Sequence, residues 1–278
     1  MKIITTIQEM RTQVYAWRRE GCTLGLVPTM GDLHEGKASL IKASVGRCDR
    51  TVVSVYGSEL PYGDTERQQD AVVCEKLGAD VLFCPEGDSL RPGGENGAFV
   101  ELPGDMVNRL GGGERPGYFR EVCTVTARLF NILTPDRAFF GEKDAQQLVI
   151  LRRMVRELCY AVEIVSCPVV RAANGLAVAG RNRSLSPEER KAALCLLDAT
   201  RLGRKMVLEG ERDARVIVNA MRNVVAHEPL ACIDYVEAVD PDSLEPVDEV
   251  TPGVLFCLAV YLGSVRLTDN FKVMLGEQ

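Results

Sequence analysis

The chain has 278 residues, 46% of them hydrophobic and 26% charged, with a mean hydropathy near zero; it is long enough for two domains or one large domain with a full core. A net charge of −6 gives no global attraction to nucleic acid or to an anionic membrane, so only a local basic pocket for phosphates stays open. No apolar run reaches the length that spans a bilayer and the N-terminus lacks a charged-then-apolar signal layout, so a cytoplasmic protein with no membrane partner is expected.

Met1–Glu9 reads as a strand leading into a helix. Beyond it, Thr23–Val27, Thr51–Tyr56, Val81–Cys84, Arg137–Phe140 and Val162–Val165 are short, apolar and rich in β-branched or aromatic residues, which predicts strands. Lys37–Val45, Thr65–Leu77, Phe119–Leu133 and Ala145–Leu158 are longer and amphipathic, which predicts helices between them. This alternation implies an α/β fold: a parallel sheet covered by helices on both faces, with ligands collecting at the strand C-terminal ends. Glycine-rich stretches at Arg91–Gly97 and Gly111–Gly117 interrupt the pattern as turn or lid material. The glycine–lysine phosphate loop of nucleoside triphosphatases is absent.

After Gly175 the texture changes. Ser186 reads as a helix N-cap, with Pro187 at the first helical position and Glu188 and Glu189 in the first turn. Helices run on to about His227, and Ile233–Val239 and Val254–Leu262 then read as strands. The expected division is residues 1–175 as the α/β nucleotide-binding domain and 176–278 as a smaller α+β domain. None of the ten cysteines forms a C-x-x-C pair and most lie in apolar segments, so buried reduced thiols are expected. The only histidines are His34 and His227, which excludes a multi-histidine metal site, and no protein metal ligands are assigned.

Three clusters carry chemistry. Val27-Pro-Thr-Met-Gly-Asp-Leu-His-Glu-Gly-Lys37 places a tight turn between a strand and a helix, where backbone N–H groups and the helix dipole favour a phosphate beside His34. Phe140-Gly-Glu-Lys-Asp-Ala-Gln-Gln147 follows another strand and opens a helix; Lys143 suits developing phosphate charge and Asp144 a ribose hydroxyl, and a capped, solvated helix N-terminus fits the same residues. In Val178-Ala-Gly-Arg-Asn182, the planar fork of Arg181 after small residues suits phosphate capture, and a plain surface arginine fits the same spacing.

Together with Arg115-Pro-Gly117, Phe119-Arg120, Leu129–Ile132, Pro135-Asp136, Asn174–Ala177, Leu185-Ser186, Leu262-Gly263, Arg266-Leu267 and Asp269-Asn270, these clusters resemble the pantothenate synthetase (pantoate–β-alanine ligase) family along nearly the whole chain. The resemblance implies a Rossmann-like nucleotidyltransferase sheet of the His-x-Gly-His superfamily. The implied reaction makes an acyl-adenylate and pyrophosphate from ATP and a carboxylic acid. An amine then displaces AMP, with Mg2+ assisting. By the same resemblance His34, Lys37, Lys143 and Arg181 are catalytic. ATP lies against Pro28, Thr29, Met30, His34, Gly36, Gly141, Lys143, Asp144, Val170, Val178, Ala179, Gly180 and Arg181. The acid and amine face Ser58, Pro61, Arg115, Tyr118 and Gln147. A homodimer is implied, for which apolar Val52–Val55 is suitable, and no nucleic-acid partner is expected.

The pattern also breaks at definite places. Lys37 stands where the signature has its second histidine, Ser58 and Pro61 replace an asparagine and a glutamine, and the segment before Thr65 is shortened. Tyr118 replaces a histidine, Glu121 a glycine, and Ala179-Gly180 a pair of serines. Proline has neither N–H nor amide, so Pro61 cannot reproduce a glutamine's donor and acceptor. Because the losses gather where the acid would sit, the reading preferred from sequence is a ligase with altered acid and amine specificity. Pantothenate synthetase itself, or a degenerate nucleotide-binding scaffold, are the alternatives.

Overall fold

A computed structural model describes residues 1–57 and 62–274. Contacts group the chain into two units. One holds Met1–Pro103, Arg115–Glu142 and Ile150–Pro168; the other holds Gly104–Glu114, Lys143–Val149 and the chain from Val169 onward. This grouping is less linear than a single boundary after residue 175, because short excursions of the chain pack with elements far away in sequence.

The first unit is built on six parallel strands: β1 (Lys2–Ile4), β2 (Leu24–Thr29), β3 (Arg50–Val55), β4 (Val81–Phe83), β5 (Arg137–Gly141) and β6 (Glu163–Cys167). Their order is β1-β4-β3-β2-β5-β6, with every pair parallel. Helices α1 (Ile7–Arg19), α2 (Glu35–Val45), α3 (Asp64–Leu77), α4 (Tyr118–Leu133) and α5 (Ala145–Glu157) connect them, the first turn of α5 grouping with the second unit. The inner strands β2, β3, β4 and β5 are mostly buried on both faces, which is why they read as continuous apolar runs rather than alternating ones. Within β3, Thr51 through Val55 are all buried, and Thr51 satisfies its hydroxyl against Ser44 Oγ at 2.8 Å. Val52–Val55 are therefore consumed by this sheet, between β2 and β4, and supply no apolar surface for a partner subunit.

Helix ends follow local chemistry. Thr6 caps α1 by accepting the Glu9 N–H at 3.2 Å, and Gly78 ends α3 at φ 86°, a left-handed conformation that costs glycine little. The strand order reverses between β2 and β5, so the C-terminal ends of these two strands flank the topological switch point where open α/β sheets bind ligands. The β2–α2 turn leaves one end, and Gly141 lies at the other.

The second unit holds an antiparallel sheet of β7 (Ala231–Val239), β8 (Leu255–Leu262) and β9 (Val265–Lys272) in that order, with α6 (Pro187–Ala192), α7 (Leu194–Leu208) and α8 (Ala214–Ala226). Ser186 caps α6 as its sequence predicts, in a reciprocal box with Glu189 at 3.1 and 2.8 Å. Strand β9 was not anticipated. Its inward row, Val265, Leu267, Asp269 and Phe271, carries a carboxylate that interrupts the apolar period. Phe271 stacks on Phe256 with ring centroids 4.8 Å apart, and Gly203 of α7 lets the helix approach: a Cβ there would lie 2.7 Å from Met221 Sδ.

All ten cysteines are free; six are buried, as expected for thiols used as small apolar side chains. No helix among the described residues is long and apolar enough to cross a membrane.

Candidate functional site

The β2–α2 turn is built on two successive left-handed residues, Gly31 at φ 79° and Asp32 at φ 54°. A Cβ at Gly31 would come within 2.6 Å of the Tyr62 ring, so glycine is required both for the backbone angle and for room. Tyr62 donates to Asp70 Oδ2 at 3.0 Å, and the other carboxylate oxygen of Asp70 accepts the Leu33 N–H at 3.1 Å. Asp70 is 5% exposed, so one buried carboxylate on α3 ties the turn to the segment that follows β3. Burial, with Cys84 and Asp70 close by, pushes the Tyr62 phenol well above its ordinary value and keeps it a donor. Sequence reasoning passed over Tyr62 and Asp70; α3 carries other acidic residues, and nothing local marks Asp70 as the buried one.

His34 is the N-cap residue of α2, with its N–H on Asp32 O at 2.8 Å, and among the described residues no side chain caps the helix there. The ring is half-buried at the positive end of the helix dipole. Pro28 and Thr29 close β2, Thr29 Oγ1 accepting the Gly31 N–H at 3.2 Å, while Met30 is exposed and Gly36 lies in the first turn of α2. The Lys37 ammonium donates to the carbonyls of Gly31 and, at 3.3 Å, Asp32. It therefore closes the turn from within, a contact the sequence comparison with a histidine did not suggest.

Ser58 and Pro61 lie outside the described residues. Arg115 stacks over the Tyr118 ring, 3.9 Å from guanidinium carbon to centroid, at the start of α4. Glu121 takes Arg91 at 2.8 Å, so the carboxylate at this position finds its partner in the first glycine-rich stretch. The same stretch is held by Arg128, which donates to the carbonyls of Leu90 and, at 3.0 Å, Ala98.

In the second unit, Lys143 sits in a short 3-10 turn before α5. Its ammonium donates to Thr268 Oγ1 at 3.1 Å, and its carbonyl accepts Asn270 Nδ2 at 3.0 Å. Between these two residues Asp269, 3% exposed, forms a two-pronged ion pair with Arg171 at 2.8 and 2.9 Å. Asp144 is exposed and Gln147 half-buried. Their neighbour Gln146 is buried and holds residues 104–114. It donates to Met106 O and Arg109 O at 3.1 and 2.8 Å and accepts the Gly111 N–H at 3.0 Å. The sequence reading singles out Gln147 alone; burial marks its neighbour Gln146 as the structural one.

Val170 and Val178 face each other in a short hairpin, with the Val178 N–H on Val170 O at 2.9 Å. Ala179 is extended, and Gly180 opens a 3-10 turn in which Arg181 is exposed and Asn182 donates to Ala177 O at 2.8 Å. Positions 179 and 180 offer no hydroxyl at this turn. Lys143, Ala177, Asn182, Thr268 and Asp269 line a small cavity in this unit. Among the described residues no group of three His, Cys, Asp or Glu side chains could hold a metal ion.

Residues 2–272 match the family model described as pantoate-beta-alanine ligase. The chain is 44% identical to the pantothenate synthetase of Ruminiclostridium cellulolyticum over 98% of its own length and 99% of the relative's. It also superposes on the crystal structure of pantothenate synthetase from Thermus thermophilus with a TM-score of 0.89, at 35% identity, covering 99% and 100% of the two chains. A pantoate-beta-alanine ligase from Francisella tularensis, crystallised with beta-gamma ATP and β-alanine, is similar with a TM-score of 0.76 and 27% identity, covering 98% and 97%. With a parallel Rossmann-like sheet, the histidine turn and the Lys143 turn all present, the chain belongs to the pantoate–β-alanine ligase family, ATP-dependent enzymes that join an acid to an amine and release AMP.

Proposed function

We propose that this chain is a pantoate–β-alanine ligase acting on the family's own substrates. The observation that carries the reading is the match to pantothenate synthetases over essentially the full length of both chains. It favours pantoate and β-alanine over the changed acid and amine that the altered motifs suggested. A carboxylate oxygen of pantoate attacks the α-phosphorus of ATP and pyrophosphate leaves; the β-alanine amine then attacks the acyl carbon and AMP leaves.

In this reading the turn Pro28–Gly36 and the start of α2 take triphosphate oxygens, and His34 donates to them. Lys143 and Arg181 bring positive charge to the phosphates, and Asp144 accepts a ribose hydroxyl. Gly141, Val170, Val178, Ala179 and Gly180 bring backbone close to the nucleotide. Gln147 faces the acid with Arg115 and Tyr118. Lys37 serves the site by fixing the turn's carbonyls rather than by touching phosphate. Mg2+ keeps water and phosphate oxygens as ligands, so it would enter on the nucleotide rather than in a protein cage. A cytoplasmic homodimer belongs to the same proposal and rests on the family resemblance.

A second reading, a scaffold that binds nucleotide without turnover, is favoured by the missing hydroxyls at Ala179 and Gly180 and by the engagement of Lys37 with the turn. Pyrophosphate release separates the two. ATP, Mg2+, pantoate and β-alanine should give pyrophosphate, AMP and pantothenate in equal amounts. Measurable ATP binding with no release for pantoate, or for any acid in a panel, would establish the scaffold. Release with another acid but not with pantoate would restore altered specificity.

A further inference from the structure

We propose that Thr268 and Asn270 of β9 are positioning residues for Lys143; the inference rests on Lys143 acting in the ligase reaction. The two alternate residues of a strand project to one face, and both reach the same lysine, one at its ammonium and one at its backbone carbonyl. Lys143 has a flexible four-carbon stem, and aiming such a side chain costs rotamer entropy unless a partner holds it beforehand. A neutral hydroxyl orients the ammonium without cancelling the charge that a phosphate would meet.

The competing partner is Asp269, which lies between the two in sequence and lines the same small cavity. Its oxygens are occupied by Arg171 at 2.8 and 2.9 Å, and one of them also accepts the Asn270 N–H at 2.9 Å. Arg171 thereby engages both oxygens of the buried carboxylate, while β9 presents the Lys143 ammonium with a hydroxyl and its carbonyl with an amide.

The test compares Thr268→Val and Thr268→Ala, which delete the acceptor, with Thr268→Ser, which keeps it. Two readouts are used: steady-state pyrophosphate release, and acetylation of Lys143 by dilute acetic anhydride relative to the other lysines, read by peptide mass spectrometry. The acceptor-deleting variants should lower kcat by about tenfold with little change in the pantoate KM. They should also raise Lys143 acetylation several-fold, and Thr268→Ser should restore both values. Unchanged kcat and unchanged acetylation in folded Thr268→Val or Thr268→Ala protein would overturn the proposal, as would a loss that Thr268→Ser does not repair. If the unsubstituted chain releases no pyrophosphate, the ligase reading fails, and acetylation alone decides whether Thr268 holds the lysine.

Discussion

Gly31→Ala is the sharpest probe of the histidine turn. Alanine at φ 79° incurs about 1–2 kcal/mol for the left-handed backbone. Its methyl would lie 2.6 and 2.9 Å from two carbons of the Tyr62 ring, and such overpacking costs about 1–3 kcal/mol. The ring cannot swing aside freely, because its hydroxyl is bonded to Asp70 at 3.0 Å and a hydrogen bond to a charged group is worth about 1.5–3 kcal/mol. Relief of the clash and retention of the bond are alternatives, so the expected loss is about 2–5 kcal/mol rather than the sum of all terms. Urea denaturation of four proteins measures it: unsubstituted, Gly31→Ala, Tyr62→Ala and the double variant. In the Tyr62→Ala background only the backbone strain remains, so Gly31→Ala should there cost about 1–2 kcal/mol. Equal losses in both backgrounds would refute the steric part of the argument, and a loss below about 1 kcal/mol in the parent would refute the whole of it.

Arg171→Met removes the partner of a carboxylate that is 3% exposed, and denaturant titration should register a loss of about 3–5 kcal/mol, with Asp269→Asn in the same background recovering part of it. Gln146→Leu deletes the three bonds that hold residues 104–114, so limited proteolysis should cut in that loop much faster while circular dichroism stays native. Restoring the family residues at Ala179→Ser and Gly180→Ser should raise pantoate-dependent pyrophosphate release; no gain in the double variant would show that these positions do not limit turnover. Burial pushes the thiols of Cys74, Cys123 and Cys257 to about 12 and those of Cys84 and Cys195 to about 11, from an ordinary value of 9.0. These thiols stay protonated when folded, whereas the unfolded chain loses protons above about pH 9. Stability is therefore complete below about pH 9 and should fall from there toward about pH 12, by about 1.4 kcal/mol per pH unit for each such thiol. A flat denaturation midpoint between pH 8 and about 10.5 would contradict this.

Much of the architecture was legible because its signals are local. Fully buried parallel strands such as Val52–Val55 announce themselves as apolar runs, and the Ser186-Pro187 start of α6 follows from capping chemistry alone. Strand β9 stayed hidden because Asp269 is inward only by virtue of Arg171, 98 residues earlier, and no local window contains both. The candidate site divides in the same way. His34, Lys143 and Arg181 stand out by residue type beside a turn. Asp70 and Tyr62 at the histidine turn, Thr268 at Lys143 and Gln146 at residues 104–114 are ordinary residues whose importance depends on partners elsewhere in the chain. Val52–Val55 show the opposite error: an apolar run that suited a dimer interface is spent inside the sheet.

The clamp that Gln146 makes on Met106, Arg109 and Gly111 also governs how the molecule can be taken apart. The polypeptide passes between the two units after residues 103, 114, 142, 149 and 168. No single cut therefore yields either unit whole: a fragment ending at residue 168 carries residues 104–114 and 143–149 without the strands they group with. During synthesis, the loop around Met106 leaves the ribosome long before β8 and β9 exist, so the second unit cannot be completed until the C-terminal strands arrive. Exchange of domains between relatives would fail at any one junction, and a working chimera would have to carry all three segments together.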